Sequence, residues 1–100
     1  MENHIEKKSI IRARYAGVFF GTVTRKEGDE VTIKDCRRLW YWDGAASLSE
    51  LATKGVTKPE ECKFCVTVPE ITVLGVIEII PCTEEAVENI NKVPVWKMSR

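Results

Sequence analysis

Arg37, Arg38, Trp40, Tyr41, Trp42 and Asp43 crowd into one short stretch of a 100-residue chain that holds only three tryptophans and two tyrosines. Guanidinium groups beside indole and phenol rings suit a flat, anionic ligand. The guanidinium pairs with phosphate through its planar fork, and the ring faces stack on a base. If the stretch is a strand, alternation places Arg38, Trp40 and Trp42 on one face and Arg37 and Tyr41 on the other. A slip of one residue exchanges the two arginines, so alternation alone leaves open which of them faces the tryptophans. Asp43, which ends the run, and Lys58, in a later loop, complete the candidate ligand-binding set. Lys58 adds positive charge there if its loop folds back. Trp and Arg are also enriched in subunit interfaces, and on that competing reading the tryptophans are core or interface residues. A ligand site within an interface between copies satisfies both readings.

Other chemistries find less support. Cys62 and Cys65 form C-x-x-C, but no second such pair exists to complete four zinc ligands. On a strand the two thiols point to opposite faces, so buried free thiols are expected and no metal site is. The single histidine, His4, lies in the N-terminal stretch, away from any rigid nucleophile–base arrangement. The carboxylate pairs Glu60–Glu61 and Glu84–Glu85 read as solvated loop and cap charges. The glycines are scattered and form no phosphate loop. No catalytic residue and no cofactor is therefore expected. Fifteen basic and fifteen acidic residues give a formal net charge of zero. That argues against general nucleic-acid binding, which relies on phosphate neutralisation, and it permits self-association.

The elements that must position the aromatic stretch follow from hydrophobic period. Residues 1–8 read as a flexible arm and 9–100 as a single domain, of a length that buries a modest core. Residues 9–15 alternate as a first strand, with a bend at Ala16 and Gly17. Residues 18–25 are aromatic and β-branched, a second strand, and residues 26–29 make a hairpin loop. Val31 and Ile33 share one phase in a third strand. The phase then slips, so a bulge or short turn is expected at Asp35 and Cys36 before a fourth strand carries the tryptophans. Ser47 with Glu50 is a capping box that opens a short helix, ended by Gly55. Residues 64–68 alternate again, and Pro69 and Glu70 mark a turn or edge. Residues 71–80 are apolar on both sides and read as a central strand covered on both faces. Thr83, Glu84 and Glu85 start a second helix, and residues 93–98 read as a last short strand. The fold class is α+β: a mostly antiparallel curved sheet or small open barrel with two short helices. The apolar run is too short to span a membrane. The polar N-terminal MENHIEKKS lacks the apolar core of a signal peptide, which points to the cytoplasm.

The segments RRLWYWDGAASLSELA, KPEECKF and EIIPCTEEA resemble a family of small domains of unknown function found in bacteriophages, prophages and their hosts. The resemblance spans roughly residues 10–98 and carries no catalytic residues. It implies a small protein of the host bacterial cytoplasm, expressed from a phage or mobile element. Combined with the aromatic stretch, that context suggests a non-enzymatic, homo-oligomeric protein that sequesters a nucleotide-derived defence signal of the cyclic oligonucleotide or cyclic ADP-ribose type. The alternatives are a module that binds and inhibits a host or defence protein, and a purely structural oligomer.

Overall fold

The computed structural model describes residues 7–97. Strands β1 (Lys8–Ala13), β2 (Gly17–Glu27) and β3 (Glu30–Tyr41) form a meander, followed by helix α1 (Leu48–Lys54) and a single 3-10 turn at Pro59–Glu61. Strands β4 (Lys63–Val73) and β5 (Val76–Pro81) and helix α2 (Glu84–Asn91) complete the chain. The five strands form one antiparallel sheet in the order β4-β3-β2-β1-β5. The α+β class with a curved sheet is thus the observed architecture. The expected flexible arm falls mostly on residues 1–6, outside the described residues; Lys8 already belongs to β1.

The curvature follows from connectivity. Strands β4 and β5 lie at opposite edges of the sheet, yet only Leu74 and Gly75 join them. The sheet must therefore curl until its edges meet at that turn. Two backbone hydrogen bonds clasp it: Arg14 N–H donates to the Gly75 carbonyl (2.8 Å) and Val76 N–H to the Asp29 carbonyl (2.9 Å). Strand β2 bends to follow, with register shifts against β3 after Phe20 and after Val23. Gly21 sits in that bend. A Cβ there would stand 2.5 Å from Ile33 Cγ2 and 3.0 Å from the Lys34 carbonyl oxygen, so no larger residue lets the two backbones approach this closely.

The curl divides the apolar residues between two cores. Ile11, Phe19, Val23, Val31, Ile33, Cys36 and Val73 fill the concave side, where the sheet packs on itself. Ile10, Phe20, Leu39 and Phe64 face outward and are covered by Leu51 and Ala52 of α1 and Ile90 of α2. Both helices begin with side-chain caps. Ser47 Oγ accepts from Glu50 N–H, while the Glu50 carboxylate reaches back to Ala46 N–H (2.7 Å). Thr83 Oγ1 accepts from Ala86 N–H and donates to the Thr53 carbonyl (2.6 Å), so one hydroxyl caps α2 and ties it to the end of α1. The Asn89 side chain accepts from Val56 N–H and donates to the Val56 carbonyl, both at 2.8 Å.

Several sequence expectations are corrected. The expected third and fourth strands are one strand, β3, interrupted by a bulge at Asp35 rather than by a turn. Of the two readings of Pro69 and Glu70, the edge position holds and the turn does not: β4 runs through Pro69, because an edge strand has one side that needs no N–H donor. Residues 71–80 are not one central strand. They break at Leu74 and Gly75 and supply both edges of the sheet, which leaves Leu74 and Ile77 exposed. The expected last strand is reduced to a single parallel bridge between Val95 and Phe64, and Met98 lies outside the described residues. Among the described residues, no helix is long and apolar enough to cross a membrane.

The Asn89 clamp gives the first expectation. Asn89→Ala removes both hydrogen bonds and strands two partly buried backbone groups, so it should cost about 2 kcal/mol in chemical unfolding. An unchanged midpoint would show that α2 does not need this side chain.

Candidate ligand-binding site

Asp35 has φ +52°, the one non-glycine residue with positive φ among those described. Its extra residue resets the alternation of β3. Ile33 and Cys36 both enter the concave core, so Arg37 turns toward the helices and Arg38 toward the concave side. The two arginines, ambiguous by alternation, thereby acquire different environments.

Arg37 is only 5 % exposed. Its Nε donates to the Cys65 carbonyl of β4 (2.9 Å), and its Nη atoms donate to the carbonyls of Ile90 (2.9 Å) and Val93 (2.6 Å). Its plane also lies over the Phe64 ring, 5.4 Å from the centroid. The Ile90 carbonyl belongs to the last turn of α2, where carbonyls lack helical partners and the helix dipole favours a cation. Helix α2 has no basic residue of its own in that turn, and Arg37 supplies one from the sheet. Burial lowers the Arg37 pKa from its ordinary value, but a guanidinium stays protonated at neutral pH. Arg37, expected as a possible ligand cation, is thus committed to internal carbonyls.

Arg38 remains available. Its guanidinium lies over the Phe19 ring at 4.9 Å. The ion pairs among the described residues, Arg12–Glu78 and Arg25–Glu27, do not involve it. It lines a concavity of about 340 Å³ together with Tyr15, Val18, Trp40 and Trp42. The expected trio of Arg38, Trp40 and Trp42 therefore does converge. Trp40 is 65 % exposed, whereas Trp42 is half-buried and also packs against the helix-side core. Tyr15, at 90 % exposure, is a wall that sequence reasoning missed. It sits in the β1–β2 turn, more than twenty positions from the tryptophans, and only the curl brings it there.

The remaining candidates lie elsewhere. Tyr41 faces the opposite way, where Lys63 Nζ stands 5.9 Å from its ring and 5.4 Å from that of Trp96. Asp43 is half-buried, and its carbonyl accepts from the Cys62 thiol (3.7 Å). The loop carrying Lys58 does fold back on the end of the aromatic stretch, as Thr57 N–H donates to the Gly44 carbonyl (3.3 Å). A Cβ on Gly44, whose φ is +92°, would meet the backbone nitrogens of Thr57 and Lys58 at 2.6 and 2.8 Å. It is this backbone that makes the contact; the Lys58 side chain is exposed and outside the walls of the concavity.

Three of the thiols are held protonated. Burial pushes Cys36 up to about 12 and Cys82 up to about 11, and it raises Cys62 as well. At neutral pH these three are neither nucleophiles nor ready metal ligands. Among the described residues no three His, Cys, Asp or Glu side chains gather as a metal site.

With this geometry in hand, a family model matches residues 6–90, from the approach to β1 into the last turn of α2. The chain belongs to the DUF6948 family, a domain of unknown function. No curated protein and no solved structure matches it. The matched span of this DUF6948 domain includes the Asp35 bulge, both arginines and every wall of the Tyr15–Trp40 concavity.

The separation of the arginines is testable by stability. Arg37→Ala should cost about 3 kcal/mol or more, since charge-assisted hydrogen bonds are lost and their carbonyls stay buried. Arg37→Lys should recover only part of that, because an ammonium cannot reproduce the planar fork. Arg38→Ala should lie within about 0.5 kcal/mol of the parent, as expected of a surface position. Equal urea midpoints for the Arg37 and Arg38 variants would contradict the assignment.

Proposed function

We propose that this DUF6948 domain is a non-enzymatic binding protein for a flat, anionic, nucleotide-like ligand. The observation that carries this reading is the convergence of Arg38, Trp40 and Trp42, joined by Tyr15, on one concavity. A volume of about 340 Å³ lies at the lower end of small-ligand pockets. Arg38 would pair with the anion, its plane held against Phe19, and the exposed Trp40 and Tyr15 rings would stack the flat group. The resemblance to phage and prophage proteins suggests a narrower form of the proposal. The protein would act as a homo-oligomer in the host bacterial cytoplasm and sequester a nucleotide-derived defence signal, of the cyclic oligonucleotide or cyclic ADP-ribose type. The neutral net charge is consistent with self-association and with a small ligand rather than a long polyanion.

A second reading is supported by the exposure of Tyr15 and Trp40, residue types enriched in interface centres. On that reading the same patch binds a host or defence protein, or a second copy of the chain in a structural oligomer.

A thermal-shift panel of cyclic di- and trinucleotides, cyclic ADP-ribose isomers and mononucleotides separates these readings. A ligand at about 100 times its Kd should stabilise the protein by about 2.7 kcal/mol, several degrees for a domain of this size. Trp40→Ala should weaken that ligand by about 1–3 kcal/mol without lowering stability in its absence. No shift anywhere in the panel would overturn the nucleotide reading. Dissociation of an oligomer on Trp40→Ala would favour the interface.

A further inference from the structure

Arg38 lines a second concavity as well. This one, of about 400 Å³, is floored by Phe19 and walled by Ile71 and Leu74, where the two sheet edges meet. Tyr15, Ala16 and Arg38 border both concavities and form the partition between them. Among the described residues, Arg38 is the sole charged one lining either concavity. The arrangement is a single cation flanked by two separate apolar recesses, one indole-lined and one aliphatic.

We propose that the two recesses form one bipartite site for a phosphodiester flanked by two nucleobases. The inference rests on the nucleotide-binding reading above and narrows its ligand class. A diester carries one negative charge, which one guanidinium matches; a phosphomonoester dianion is matched only in part. A diester also places a ring on each side of the anion, one against Trp40 and one against Leu74, whereas a mononucleotide fills a single recess. The Phe19 ring beneath Arg38 holds the guanidinium plane at the partition. The same chemistry occurs in a free dinucleotide and within a single strand, and the neutral chain favours the free form.

Tryptophan-fluorescence titrations with AMP, with the dinucleoside monophosphate ApA and with a single-stranded DNA oligomer test this directly. ApA should bind at least about fivefold more tightly than AMP, the smaller end of what one added base contact supplies. Leu74 is exposed in the β4–β5 turn, so Leu74→Ser leaves the fold intact while stripping the second recess of an apolar wall and adding no charge beside Arg38. It should reduce ApA to the affinity of AMP and leave AMP unchanged. Binding of AMP and ApA with equal affinity to the parent protein would overturn the bipartite site but leave the single-base reading standing. Equal weakening of AMP and ApA by Leu74→Ser would overturn it too. Binding of none of the three would remove both proposals. An oligomer that binds more tightly than ApA would identify a strand as the source of the diester; one that binds no better would identify the free dinucleotide. Either result supports the proposed chemistry.

Discussion

One residue beyond regular alternation, Asp35 at φ +52°, decides what each side chain of the aromatic strand touches. If Asp35 alternated regularly instead of bulging, Ile33 and Cys36, three positions apart, would point to opposite faces and could not share the concave core. With the bulge, Arg37 enters the layer between sheet and helices, and Arg38 turns to the concave side beside Phe19. The close approach allowed by Gly21 on the neighbouring strand belongs to the same irregularity, since the register of β2 against β3 shifts there.

The consequences run in two directions. On the helix side, Arg37 bonds β4 and the end of α2 through three carbonyls, in a layer where no carboxylate balances it among the described residues. A lone buried cation is costly unless its donors are satisfied, and carbonyls at a helix C-terminus are good acceptors for it. On the concave side, the curl that lets two residues join opposite sheet edges also brings the β1–β2 and β4–β5 turns beside Arg38. The constraint that shapes the sheet and the one that assembles the candidate site are therefore the same.

Local signals in the sequence were legible where they were chemically determined. The capping residues Ser47 and Thr83 act as expected, the hairpin after β2 forms, and the phase slip at Asp35 is a bulge. The shared face of Trp40 and Trp42 was readable from alternation, but which arginine joins them depends on the bulge, and the structure places Arg38 there. What was not legible depends on distant parts of the chain. Residues 71–80 look like one buried strand because apolar side chains on both faces carry no mark of where the sheet edges lie. Pro69 reads equally as a turn or an edge position until the strand order decides for the edge. The role of Arg37 required three carbonyls from two other elements, and that of Tyr15 required the curl. The loop of Lys58 does fold back, which the sequence left conditional, but its backbone rather than its charge makes the contact.

Deleting Asp35 tests the central claim most directly, because it restores strict alternation without removing either arginine. The measurement is the cost of Arg37→Ala in equilibrium unfolding, in the deletion variant and in the parent. Without Asp35, Ile33 and Cys36 lie two positions apart on one face and Arg37 still turns to the helices, so Arg37→Ala should cost about 3 kcal/mol in both backgrounds. A deletion variant in which Arg37→Ala costs nothing would contradict the account.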